Sequence, residues 1–237
     1  MNRLDHPLGG ETALPAYIAN GVVGMRMPAD PTQTGWACVN GFVDLDPRSG
    51  VETIAYAPVP LRLTVSHHES NQPIPLRIER QTYDMAVGEL HTVTRTEGLL
   101  LTTIVFASRS LPNVVCRRVE LKAESDVSIR LGLGLDAAAL AGKSRWHDTD
   151  DVARGAVDGV MEWLGAAERS SCGLAYAVGC DAEGDRLRRS GNLTHNQRRV
   201  LGMMTWLDLR LSAGQTVCAW QITAVVPDAM HSQPHLQ

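Results

Sequence analysis

A side-chain period of two runs through this chain, and it limits the possible folds more than any other feature. Val127, Ile129, Leu131, Leu133 and Leu135 alternate with Ser128, Arg130, Gly132, Gly134 and Asp136, the pattern of a strand with one buried face. Leu61, Leu63, Val65 and His67 alternate with Arg62, Thr64, Ser66 and His68, and Leu207, Leu209 and Leu211 alternate with Asp208 and Arg210. A turn at Ser212-Ala213-Gly214 leads into an apolar run from Val217 to Val226, which reads as the second arm of a hairpin. The run from Leu99 to Ala107 is apolar on both faces and reads as an interior strand.

Gly, Pro, Asn and Asp interrupt these runs at short intervals, as in Asp46-Pro47-Arg48-Ser49-Gly50, Glu97-Gly98 and Leu111-Pro112-Asn113. About ten to fourteen short strands joined by turns predict an all-β, antiparallel sandwich. Helix is expected only locally, over 136–142 and 150–157. The inward set is expected to include Leu63, Val65, Ile104, Val119, Ile129, Leu131, Leu133, Leu207, Leu209 and Ile222. No repeat or low-complexity linker divides the chain, so residues 1–228 read as one domain. The strand pattern stops after Val226, and residues 229–237 read as an exit from it.

Composition narrows the function classes. The 237 residues suffice for a large buried core. With 22 basic against 26 acidic side chains and a formal charge of -4, no general nucleic-acid-binding field is expected. No apolar run approaches the roughly 20 residues of a membrane helix, and the opening M-N-R-L-D-H-P-L-G-G-E lacks a signal peptide's apolar segment. Cys38, Cys116, Cys172, Cys180 and Cys218 form no C-x-x-C pair; they read as reduced, structural thiols of a cytoplasmic protein.

The motifs that suggest chemistry each have a plainer account. Gly132-Leu133-Gly134-Leu135-Asp136-Ala137 matches G-x-G-x-x-A, but the apolar alternation runs through the glycines. They therefore read as strand positions that admit a close neighbour, not as a nucleotide-binding turn. His67 falls on the inward face and reads as a core histidine, whereas His68 shares a polar face with Arg62, Thr64 and Ser66. His147-Asp148-Thr149-Asp150-Asp151 lacks the glycine and the distal bidentate acid of a calcium loop. The arginine-rich stretch 186–199 reads as a solvated hairpin. No G-x-S-x-G, H-E-x-x-H or P-loop occurs, and no cofactor or metal is expected.

Four segments nevertheless carry a resemblance. Tyr17-Ile18-Ala19-Asn20-Gly21-Val22-Val23-Gly24-Met25-Arg26, Val39-Asn40-Gly41, Tyr83-Asp84-Met85-Ala86-Val87-Gly88-Glu89-Leu90 and the stretch from Ser110-Leu111-Pro112-Asn113 to Glu120 occur in that order. Together they resemble the N-terminal domain of glycoside hydrolase family 65, which includes maltose, trehalose and kojibiose phosphorylases and protein-glucosylgalactosylhydroxylysine glucosidases. The resemblance implies a super-β-sandwich of the galactose-mutarotase type, which precedes an (α/α)6 barrel that carries the catalytic acid. Residues 229–237 would then begin the linker to that barrel.

On that reading the chain by itself is non-catalytic, packs on the barrel and acts with it on α-glucosides. It would supply a loop, Gln33 to Gly41, to the rim of a sugar site. Trp36 would stack on a sugar face and Asn40 would hydrogen-bond hydroxyls. Two alternatives are a free-standing carbohydrate-binding protein, which needs an exposed aromatic platform, and a mutarotase-like enzyme using His68, His91 and Glu89. A domain that docks a barrel should also carry an exposed apolar patch, drawn from Leu99 to Ala107 and Val217 to Val226, which would favour a homodimer when left bare.

Overall fold

The computed structural model describes residues 3–6, 15–148, 157–183, 187–196 and 199–228. Seventeen strands, numbered in chain order, account for most of them and no helix occurs among them. None of the described residues forms a helix long and apolar enough to cross a membrane.

One layer is a nine-stranded sheet. Its first five strands are β1 (Arg3–His6), β7 (Arg77–Asp84), β8 (Glu89–Thr96), β9 (Leu99–Ala107) and β10 (Val114–Ala123). It continues through β17 (Thr216–Asp228), β14 (Ser171–Cys180), β13 (Gly159–Gly165) and β12 (Gly142–Asp148). The opposite layer is split. One half is β15 (Leu187–Asn196), β16 (Arg199–Leu211), β11 (Val127–Asp136) and β6 (Val59–His67). The other is β2 (Ala16–Ala19), β3 (Val23–Met27), β4 (Trp36–Leu45) and β5 (Glu52–Ala57). All neighbouring strands are antiparallel, so the expected antiparallel β-sandwich is the fold.

The core follows the alternation. Leu63, Val65, Ile129, Leu131, Leu133, Leu207 and Leu209 face Leu99, Leu101, Val105, Val119 and Leu121, and all are buried. Each such side chain contributes about 1.5–3 kcal/mol of burial. Two expected core residues do not belong to it. Ile222 is exposed and Ile104 is half-buried, because in β9 and β17 the inward positions are Leu101, Thr103 and Val105, and Ala219, Gln221 and Thr223. Where both faces are apolar, the period no longer says which face is inside. Some inward polar groups find partners across the layers: the Gln221 amide N–H donates to the carbonyls of Pro60 (2.7 Å) and Gly134 (2.9 Å), and Thr223 donates to Pro60 (2.7 Å).

His67 is a second correction. It is exposed, because β6 ends there and the two layers have already parted. The segment after Asp136 forms a turn and no helix: the Asp136 carboxylate accepts from the Ala138 amide and Leu140 N–H bonds the Ala137 carbonyl. The other expected helix, 150–157, and Thr149 to Asp151 of the histidine-aspartate motif lie outside the described residues, apart from Val157. Arg186 and residues 197–198 of the basic stretch also lie outside them. Its described part is the β15–β16 hairpin, with Arg188 and Arg189 exposed.

The four segments behind the resemblance prove to be turns and clamps. The Asn20 side chain accepts from the amides of Val22 and Val23 and donates to the carbonyls of Ser108 (2.7 Å) and Pro112 (2.8 Å). It thereby ties the β2–β3 hairpin to the Ser110-Leu111-Pro112-Asn113 turn, so two of the segments touch. Asn113 in turn accepts from the amide of Val225. Asn40-Gly41 forms a bulge in β4, where Gly41 takes a φ of 90° that favours glycine.

Candidate functional site

The outer face of the β2–β5 sheet gathers side chains that the core does not use. Inward, these strands bury Ile18, Met25, Ala37 and Ala57. Outward, Tyr17, Trp36 and Tyr56 are 66%, 45% and 55% exposed. The cross-strand register sets Tyr17 opposite Arg26 and Arg26 opposite Trp36. The rings of Trp36 and Tyr56 stand 4.4 Å apart at 58°.

The loop that delivers Trp36 is pinned. The Arg62 guanidinium donates to the Thr32 carbonyl (2.5 Å) and to the Thr34 hydroxyl (3.0 Å), and it sits 3.5 Å from the Asp136 carboxylate. Thr34 donates to the same carboxylate at 2.9 Å. Beside Trp36 and Tyr56, where the two small sheets meet, Thr34, Val59, Asp136 and Leu140 line a cavity of about 100 Å³.

Both sequence candidates lie on this face. Asn40 is exposed at the β4 bulge, four residues beyond Trp36, or about 13 Å along the strand. Cys38 and Tyr56 occupy the space between, as cross-strand partners. One ligand reaches both candidates only if it is extended. Sequence reading missed Tyr56 and Arg26 as neighbours of Trp36, because each reaches it from another strand, Arg26 through the β3–β4 register and Tyr56 from β5.

The mutarotase candidates are divided. Glu89 and His91 pair at 2.9 Å on the outer face of the nine-stranded sheet. His68 sits just beyond β6 on the outer side of the opposite layer, with Nδ1 3.3 Å from Asp208. The sandwich core separates His68 from Glu89 and His91, so the three do not share one face. The His68 group is instead an ion cluster. Arg130 holds Asp208 through two bonds of 2.6 and 3.0 Å, donates to Asn71 and lies 6.0 Å from the Trp206 ring centre.

The hydrogen bonds from Arg130, with His68 adding to them, hold the Asp208 carboxyl below the usual carboxylate range against the opposing effect of burial. A depressed folded-state pKa adds stability above the unfolded value of about 3.9, and that stability is lost as pH falls through the folded one. Asp208→Asn should therefore lower the melting temperature at pH 7 and flatten its fall below about pH 4. Parallel melting profiles for the two proteins across that range would contradict this.

An open groove of about 790 Å³ at one end of the sandwich is lined by His67, Arg77, Arg95, Glu97, Asp126 and Ile129. Arg95 is already paired with Glu79 and Glu124, so charges of both signs neutralise one another there. No group of three His, Cys, Asp or Glu among the described residues is placed to hold a metal. The five cysteines are free; burial pushes the Cys116 and Cys180 thiols up, and Cys172 furthest of all.

The outer face of the nine-stranded sheet carries an apolar band. Cys116 lies opposite Phe106 and Ile222, and Arg118 opposite Ile104 and Trp220. Ile222 is 48% and Trp220 40% exposed. The band comes from the two strands that are apolar on both faces, as expected from the sequence.

Fold and surfaces define the chain as an antiparallel β-sandwich module with an aromatic face and an apolar face. Among solved structures it is similar to a provisionally assigned kojibiose phosphorylase from the human microbiome, with a TM-score of 0.64 and 12% identity. That match covers 92% of this chain and 30% of the phosphorylase, so the chain spans less than a third of that protein's length. A heparan sulfate lyase from Pedobacter heparinus matches over 92% of this chain and 37% of its own, at 7% identity and a TM-score of 0.41, too low to carry weight. No family model and no curated protein matches the sequence.

Proposed function

We propose that the chain is the N-terminal sandwich domain of a family 65-like glycosidase or disaccharide phosphorylase acting on α-glucosides, non-catalytic by itself. The observation that carries this reading is the shared fold: nearly the whole chain superposes on a region of the kojibiose phosphorylase that is under a third of its length. Two of the motif segments support it, because Asn20 ties the β2–β3 hairpin to the turn at Pro112 within that fold.

In this reading, the sequence after Asp228 leads to an (α/α)6 barrel, and the outer face of the nine-stranded sheet packs on helices. Ile104, Phe106, Cys116, Trp220 and Ile222 supply an apolar surface with Arg118 among them. Exposed apolar surface of this kind drives association when its partner is absent. The isolated chain is expected to sediment as a dimer at micromolar concentration, and Ile222→Lys should return it to a monomer with little change in melting temperature. A parent protein that stays monomeric, or an assembly that Ile222→Lys leaves intact, counts against this face as the docking surface. The non-catalytic assignment has its own test: the purified chain should neither hydrolyse nor phosphorolyse kojibiose, maltose or trehalose, and turnover at enzymatic rates would overturn it.

A further inference from the structure

We infer that the outer face of the β2–β5 sheet is a saccharide-binding platform in its own right, formed by Tyr17, Arg26, Trp36 and Tyr56, and that its ligand is a short α-linked glucosyl oligosaccharide. The choice of sugar rests on the function proposed above; the existence of the platform rests on its geometry.

Tyr17, Arg26 and Trp36 form one row across three adjacent strands. At about 4.8 Å between strands, the two aromatic side chains are rooted roughly 10 Å apart with a guanidinium between them. Tyr56 extends the row beyond Trp36. Leaving three large rings in water forgoes burial worth about 1.5–3 kcal/mol for a large apolar side chain, and the sheet's core is already filled from its other face.

A pyranose has a face of C–H groups and an edge of hydroxyls. The C–H face suits the electron-rich face of an aromatic ring, and the hydroxyl edge suits donors set between rings. Arg26 is exposed and makes no ion pair among the described residues, so its donors are available. A flat protein partner would favour a continuous apolar surface. Here the rings are tilted and a charge interrupts them, which fits a chain of linked sugar rings better.

The cavity beside Trp36 and Tyr56 is walled by Thr34 and Asp136, whose mutual hydrogen bond fixes that end of the platform. Because Arg62 and Asp136 hold the delivering loop, little ordering is required on binding.

The test is a titration of the whole chain with maltotriose, kojibiose and trehalose, followed by calorimetry for every variant and by the tryptophan indole N–H signals in NMR for the parent, with glycerol as the control. Maltotriose is expected to shift the Trp36 signal and saturate in the millimolar range. Trp36→Ala and Tyr56→Ala should each weaken binding about tenfold or more without lowering the melting temperature, since both rings are exposed. Three sugars that leave Trp36 unmoved at tens of millimolar, or a Trp36→Ala chain that binds as the parent does, would overturn the inference. So would sedimentation showing that Tyr17→Lys breaks up a dimer, because the face would then belong to a second copy. These results are separate from the Ile222→Lys outcome, so platform and docking face can fail independently.

Discussion

Gly134→Ala is expected to cost about 4 kcal/mol or more, a large part of the 5–15 kcal/mol that holds a typical domain together. A methyl group there would stand 1.9 Å from the Met203 carbonyl oxygen and 2.9 Å from the Met204 Cα. Those are backbone atoms of β16, which is paired on one side with β15 and on the other with β11. Neither strand can yield without breaking a ladder. Gly191 is the control, because nothing lies within 4 Å of its added methyl; Gly191→Ala should change stability by less than about 1 kcal/mol. Circular dichroism melts would decide. A Gly134→Ala protein that melts within a degree or two of the parent would show that β16 can shift.

Arg117→Met is expected to act in the opposite direction. Arg117 is 1% exposed on the inward face of β10, and its Nε and Nη1 have no hydrogen-bond partner. Its cross-strand neighbours are Val105 and Gln221, and the Gln221 carbonyl oxygen is likewise unsatisfied. Burial, and then the nearby Arg62 charge, push the guanidinium below the usual arginine range. Even for buried ion pairs, replacement by well-packed apolar side chains of similar volume is often neutral or stabilising by about 1–4 kcal/mol, and here the charge has no partner to lose among the described residues. At about 2–4 °C per kcal/mol for a domain of this size, the melting temperature should rise by several degrees. Arg117→Ala, which removes the charge but leaves a void, should gain less. A fall in melting temperature with methionine would mean that the charge is compensated by something else.

These two positions show how far the sequence could be read. The alternation from Val127 to Asp136 identified β11 with its bounds, and it also showed that Gly132 and Gly134 belong inside a strand. The reason for the glycines became visible only with β16 in place: Gly132 admits the Trp206 ring and Gly134 a backbone carbonyl. Leu99 to Ala107 was legible as an interior strand, while Ile104 was assigned to the wrong face because an apolar residue stands on either side of the sheet. His67 followed the inward period past the point where the core ends. Arg117 carried no local signal, since an arginine inside an alternating strand normally marks the solvent face.

The aromatic face was legible in part. Trp36 and Asn40 stood out individually; the expected loop from Gln33 to Gly41 is strand β4 from Trp36 onward, and both residues are exposed on its outward side. Tyr56 and Arg26 join Trp36 through pairings between strands, and such a register is not written in the sequence of any one strand. Of the four family-like segments, Asn20 and the Ser110 to Asn113 turn tie elements together, while Tyr17 and Arg26 of the first stand on the aromatic face.

The position of β17 has a consequence for how the molecule is made. It is the last of the seventeen strands among the described residues, and it sits between β10 and β14 near the middle of the nine-stranded sheet. Before it arrives, that sheet is two fragments, each with a bare edge from which N–H and C=O groups project unpaired. A ribosome releases the chain from its beginning, so both edges wait, open to other chains, until nearly the whole domain has been synthesised. Production of this protein should therefore depend on whatever shields those edges during that interval.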